Sequence, residues 1–336
     1  MKWRIHLLAA ACIAVGVMAA AIASTLLESN ERLLGLLQQV HGLTPDQVQR
    51  LAAIFRRSGV MGQGNPAISV HPMTPDQCLK IRKHASFTDD LQAFRRICGA
   101  PNMAPLFDPK TTDPGDAPVC IDQFEFPDIA CEYPVVWTRA SEAAAVCEAM
   151  GKRLCDAHEW EGACEGQLTP PDYRFDLVQG LQANGAIHRM RIAHNQSHAG
   201  QKRWSYGMNY QSGVCGTASH KTANCLGGGW NACGSNTFPA GAFPACRSTL
   251  GVYDLHGNAA EHMNLPLSHA QMSSLGSRTL GYTEMKGSWF VFDDFHAHED
   301  WCRWRAPFWH GSRVLDGHSH ANYHLGFRCC KTLTKP

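Results

Sequence analysis

Six histidines crowd the C-terminal stretch, His296, His298, His310, His318, His320 and His324, with Asp293, Asp294 and Glu299 set among them. Imidazole and carboxylate donors together hold zinc, copper(II) or non-haem iron. On an extended backbone His296 and His298 point to one face, and His318 and His320 do likewise. A transition metal held there would make His296, His298, His310 and the nearby Cys302 the candidate catalytic residues. Histidines in a disulfide-rich, loop-rich domain commonly bond backbone carbonyls instead, and spacing alone does not separate the two. Trp289, Trp301, Trp304 and Trp309 share the segment with Arg303, Arg305 and Arg313. Core packing is the commoner role for any one of them; as a cluster, aromatics and arginines form grooves that take a peptide or ligand. His158-Glu159 has the look of half a zinc motif, but no second histidine follows, and Glu159 is better placed as a helix cap.

The cysteines set the redox context. Fifteen are present, and with Cys12 assigned to an N-terminal leader an even fourteen remain. They are scattered rather than repeated as Cys-x-x-Cys, which argues for disulfides in an oxidising space and against zinc ribbons. Local spacing suggests Cys78 with Cys98 and Cys120 with Cys131. Thirty Lys and Arg against 29 Asp and Glu leave a net charge of +1, so no electrostatic footprint for nucleic acid or an anionic membrane is present.

The elements that must position these groups begin after the leader. Lys2, Arg4 and His6 precede an apolar run from Leu7 to Ala23 with a small-x-small site at Ala21-Ile22-Ala23, a signal-peptide layout over residues 1–25. The competing possibility is an uncleaved anchor; the apolar stretch before Cys12 is too short for lipidation, and nothing beyond the leader is expected to span a membrane. Residues 26–112 are expected to form a small helical region. Leu33, Leu34, Leu36 and Leu37 make one apolar face, and Val48, Leu51, Ile54 and Phe55 another. Thr44-Pro45-Asp46-Gln47 and Thr74-Pro75-Asp76-Gln77 are capping boxes that open helices. At Pro114-Gly115-Asp116-Ala117-Pro118 the texture changes, and residues 113–336 are expected to form one domain. Within it Val119–Pro127 alternates as a strand, Ala140–Met150 and the segment after Asp156 are helical, and residues 170–247 are mostly loop.

Tyr133-Pro134-Val135-Val136-Trp137 and the run Cys147-Glu148-Ala149-Met150-Gly151-Lys152-Arg153-Leu154 through Glu159-Trp160-Glu161 resemble the start of the formylglycine-generating (sulfatase-modifying) family domain. Gly251-Val252-Tyr253-Asp254-Leu255-His256-Gly257-Asn258-Ala259-Ala260-Glu261, Lys286-Gly287-Ser288-Trp289 and Leu325-Gly326-Phe327-Arg328-Cys329 follow in the family's order. The resemblance covers about residues 119–331. It implies an α+β domain of the formylglycine-generating-enzyme type, related to C-type lectins, with little regular secondary structure and with structural calcium. By the same resemblance Asp254, Gly257, Ala259 and Glu261 are calcium ligands, Asn224 and Asn231 are weaker ones at a second site, Cys147 pairs with Cys329, and Cys164 with Cys302.

Active relatives carry two cysteines just after the Gly-Gly-Ser-aromatic turn, which bind copper and oxidise a substrate cysteine. Here residues 289–302 contain Cys302 alone, and a cysteine committed to a disulfide neither coordinates copper(I) nor cycles. An active pair would require Cys302 to be free and partnered by Cys330. The function expected is therefore that of a periplasmic or secreted sulfatase-modifying-factor-like protein without the oxidase activity. It would bind a protein, peptide or small ligand in the envelope, or serve a structural role there. The alternative is a periplasmic maturation enzyme, like relatives in siderophore assembly, or a divergent metal-dependent oxidase acting on a protein or peptide.

Overall fold

The computed structural model describes residues 25–85, 92–178, 180–306 and 311–334. The leader up to residue 24 lies outside them, as do Trp309 and His310. The first helix, α1, occupies residues 25–41. The second, α2 (Pro45–Ser58), starts as its capping box requires: Thr44 Oγ1 accepts from Gln47 N at 3.3 Å while Gln47 Oε1 accepts from Thr44 N at 3.0 Å. Two of the orphan amides at the helix start are satisfied in this way. Helix α3 (Pro75–His84) repeats the device with Thr74 and Gln77, and α4 (Gln92–Cys98) follows. Leu33, Leu34 and Leu37 of α1 and Leu51, Ile54 and Phe55 of α2 are buried in one cluster with Ala143, Val146 and Phe327. The N-terminal helices thus share their core with the rest of the chain, and the apolar stripes read from the sequence are what they bury.

The remaining elements are β1 (Met103–Leu106), β2 (Val119–Asp122), α5 (Ala140–Ala149), β3 (Arg153–Leu154), α6 (Ala157–Glu165), α7 (Ala183–His198), β4 (Ala260–Leu265), β5 (Tyr282–Lys286), β6 (Leu325–Phe327) and β7 (Cys329–Thr332). They build two small sheets, ordered β1-β2-β7-β3 and β5-β4-β6. The first is antiparallel throughout, with Ala104 opposite Ile121 and Ile121 opposite Cys330. In the second, β4 pairs antiparallel with β5 and parallel with β6. This is a mixed α+β fold with much irregular chain. The expected boundary at residue 113 falls between β1 and β2, which are neighbours in one sheet, so the last part of the helical region supplies the domain's edge strand.

Residues 183–198, placed in loop by sequence, form the 16-residue helix α7. Its buried face is Ala186, Ile187, Met190, Arg191 and His194. Two of those five are ionisable, which hides the apolar periodicity, and Gln182 at the N-cap makes no capping bond.

The fourteen cysteines beyond residue 24 form seven disulfides. Cys147 is bonded to Cys329 and Cys164 to Cys302. The local pairings expected for the other named cysteines are exchanged: Cys78 is bonded to Cys131 and Cys98 to Cys120. Packing explains the exchange. Helix α3 is anchored on the segment around Gly241, where Arg82 donates to the Gly241 carbonyl at 2.7 Å, and Cys131 N–H donates to neighbouring Ala240 at 2.9 Å. Helix α4 packs instead on β1, beside β2 and its Cys120. Cys330 is bonded to Cys155, so Cys302 and Cys330 are neither free nor partners. The remaining bonds are Cys215–Cys246 and Cys225–Cys233.

Candidate functional site

After β5, Gly287 turns the chain with φ of 73° and Ser288 donates to Asp300 Oδ2 at 2.9 Å, closing residues 288–300 into a loop. That loop and residues 204–210 form a surface pocket of about 460 Å³ lined by Trp204, Tyr210, Phe292, His296, His298 and Asp300. His296 and His298 do line one site, but from an irregular loop rather than a strand. His296 is exposed and stands edge-on to Phe292, with ring centroids 4.4 Å apart. His298 stacks on Trp304 at 4.9 Å, and its Nδ1 lies 2.7 Å from the Glu299 carbonyl. Burial lowers the basicity of His298.

Two carboxylates hold the pocket in shape. Asp293 accepts from Tyr210, from Ser212 at 2.7 Å and from Thr217 at 2.9 Å. Asp300 accepts from the Trp204 indole at 2.8 Å as well as from Ser288. Burial pushes both carboxyls up, but these hydrogen bonds, with His256 beside Asp300, bring each below its ordinary value. Behind the pocket lies the buried Cys164–Cys302 disulfide, with His256 Nε2 3.3 Å from Cys164 Sγ.

The other residues named from sequence are dispersed. His318 and His320 are exposed, and His324 is buried edge-on against Trp289 at 4.0 Å. His310 and Trp309 lie outside the described residues. Asn224 and Asn231 are exposed around the small Cys225–Cys233 loop. The groove expected from Trp289, Trp301, Arg303, Trp304 and Arg305 is corrected by their burial: each is 9% exposed or less, and Arg305 is wholly enclosed. Arg305 donates to Glu161 at 2.9 Å and 3.0 Å and to Asp172 at 3.2 Å. Lys286 joins Glu161 at 3.1 Å, Arg303 joins Glu165 at 2.8 Å, and Arg191 joins Glu284 at 2.7 Å. Although burial pushes the Glu161 carboxyl up, Arg305 and Lys286 hold it far below the carboxylate range. The arginines form a charged core, because only paired charges persist without water.

The turn expected to hold calcium is built from left-handed residues: Asp254, Gly257 and Asn258 have φ of 55°, 75° and 56°. A side chain at Gly257 would meet the Gly216 backbone at 2.7 Å, so only glycine fits there. Sequence reading missed Glu125, whose carboxylate accepts from Ala259 N at 2.7 Å and from Asn258 Nδ2 at 2.6 Å. Glu125, Asp254 and Glu261 are all buried. Glu261 is held by Arg328 at 2.6 Å and 2.7 Å and by the Trp160 indole at 3.0 Å. Burial, then the charges of Asp254 and Glu261, push Glu125 well above its ordinary value; burial foremost pushes Asp254 to about 6. Glu125, Asp254 and Glu261 thus form a buried region of excess negative charge with one contacting guanidinium, but their oxygens are not among the groups that converge within 4.8 Å.

Also missed were Asp172, His194 and His198, whose donor atoms lie within 4.8 Å of one another. The i, i+4 histidine spacing was visible, but only inside a helix that had not been expected.

The sulfatase-modifying factor enzyme 1-like domain matches residues 116–333, and the chain belongs to that family. Among solved structures it is similar to PvdO from Pseudomonas aeruginosa, with 14% identity, 65% of this chain and 81% of that one covered, and a TM-score of 0.30. It is also similar to CarF, with 14% identity, 82% and 86% covered, and a TM-score of 0.27. No curated protein matches it. Among the described residues no helix is long and apolar enough to cross a membrane, and seven disulfides suit an oxidising space outside the cytoplasm.

Proposed function

We propose that this chain is a periplasmic or secreted member of the sulfatase-modifying family that binds a peptide or small ligand and does not generate formylglycine. One observation carries this reading: the fourteen cysteines beyond the leader are all consumed in seven disulfides. Copper(I) prefers soft thiolates, and a disulfide sulfur supplies none. The pocket of Trp204, Tyr210, Phe292, His296, His298 and Asp300 is the binding site. Its rings offer stacking surface, and its imidazoles offer polar contacts that fix a ligand's orientation. Calcium at Asp254, Gly257, Ala259 and Glu261, with Glu125 adding charge, is structural in this reading and orders the turn.

The test is a thiol titration of the denatured, unreduced mature protein together with incubation with copper and a cysteine-containing sulfatase-type peptide. No free thiol and an unchanged peptide mass are expected. Two free thiols and conversion of the cysteine to an aldehyde would overturn the proposal.

A second reading, a maturation enzyme or metal-dependent oxidase, draws support from His296 and His298 lining the same pocket. It requires copper or iron to co-purify in stoichiometric amount and to vanish in a His296→Ala/His298→Ala double variant.

A further inference from the structure

His194 is 2% exposed and sits on the inward face of α7. Its Nε2 lies 2.8 Å from the Arg303 carbonyl, and its Nδ1 lies 3.2 Å from Asp172 Oδ2. Both ring nitrogens therefore face oxygen acceptors, whereas a neutral imidazole carries one proton. The carbonyl can only accept, so the proton belongs on Nε2. With that tautomer the Nδ1 lone pair is aimed at a carboxylate oxygen. Two acceptors meeting at that distance call for a proton or a metal ion between them.

A second imidazole converges on the same oxygen. One helical turn on, His198 puts Nε2 2.8 Å from Asp172 Oδ2, and the two rings are 4.6 Å apart. We infer that Asp172, His194 and His198 form a divalent transition-metal site, zinc being the ion best matched, held by Nδ1 of His194, Nε2 of His198 and Oδ2 of Asp172. Two imidazoles and one carboxylate are a borderline donor set that suits zinc. Metal–donor bonds of about 2.0–2.2 Å at tetrahedral angles place donors about 3.3 Å apart. The Nδ1–Oδ2 separation already has that value, and the Nε2–Oδ2 separation must open by about half an ångström.

The surroundings orient the ligands. Arg305 holds the other carboxylate oxygen, Oδ1, at 3.2 Å, while the Arg303 carbonyl fixes the His194 tautomer. Arg303 bonds Glu165 through Nε and its Nη1 lies 3.7 Å from Oδ2, and Glu161 is 3.7 Å from His194 Nε2. A proton is the competing occupant, and the metal-free protein distinguishes the two. The side chains of Asp172 and His198 are 33% and 22% exposed, so an ion has an entry path and solvent can complete its coordination.

The mature protein, treated with chelator and returned to calcium buffer, is titrated at pH 7 with zinc by calorimetry and with cobalt(II) by visible absorption. One equivalent should bind and give the cobalt bands of nitrogen coordination. His198→Ala, a change at a partly exposed position, should lose that equivalent, and the His296→Ala/His298→Ala variant should keep it. Absence of binding in the wild type, or an equivalent that survives His198→Ala, overturns the inference. Nitrogen NMR of the metal-free protein at pH 7 is a further check: a lone pair on His194 Nδ1 supports the site, and a His194 imidazolium would show that a proton fills the gap.

Discussion

Two of the clusters of buried charge in this molecule are built differently. Around Arg305, four carboxylates (Glu161, Glu165, Asp172, Glu284) meet four cations (Lys286, Arg191, Arg303, Arg305) in short ion pairs. At the turn around Asp254, Glu261 is paired with Arg328 in contact, while Glu125 and Asp254 feel the charge of Arg328 from further away, and Asp254 that of Arg82 as well. Apart from the Asp172–His194 contact, the first cluster pairs its charges one to one; the second carries unmatched negative charge. Burial makes the difference matter, because an unpaired charge without water raises its own pKa or recruits a counter-ion. The paired cluster is therefore scaffold, and the unpaired one is where the calcium proposed above would act.

The largest effect separating them comes from breaking a complete pair. Arg305→Ala leaves Glu161 buried beside Lys286 alone and should cost about 3–5 kcal/mol in urea unfolding, with or without calcium. A loss below about 1 kcal/mol would show that water enters this core and that the charge balance is incidental.

Next in size is the pH response of the turn. Asp254 is raised from 3.8 to about 6, so the folded state binds its proton more tightly than the unfolded chain does. Its stabilising effect is full below pH 4 and is lost as pH rises toward 6, at a cost of about 3 kcal/mol in chelator. Calcium should remove that loss, so stability measured with calcium should diverge upward from stability in chelator across this window. Coincident curves would mean that no cation serves the turn.

Glu125→Gln sharpens the same point with a smaller change. Removing one of three like charges should raise stability in chelator by about 1 kcal/mol and shrink the calcium response. An unchanged response would place the ion away from Glu125. The smallest effect is a control in neither cluster: Thr44→Ala removes the α2 cap and should lower the unfolding free energy by about 1 kcal/mol, equally in calcium and chelator.

What was legible in the sequence was local or carried by family motifs. Thr44 with Gln47, Thr74 with Gln77 and Asp156 with Glu159 are capping pairs within four residues of chain, so the helix starts follow from neighbours alone. The leucine faces of α1 and α2 were readable because 3.6-residue periodicity is a property of the segment. The left-handed turn at Asp254, Gly257 and Asn258 sits where the family motif places it.

Tertiary structure alone decided what depends on partners distant in sequence. Cys78 and Cys98 found Cys131 and Cys120 because α3 and α4 dock on different parts of the domain. Arg303 and Arg305, which read as groove residues, are buried because Glu161, Glu165 and Asp172 come to meet them from more than a hundred residues away. Glu125 joins the Asp254 turn across the fold, and α7 stayed hidden because Arg191 and His194 lie on its inward face. A sequence displays the charge of each residue, but whether that charge ends in water or in an ion pair is set by what the fold brings opposite it.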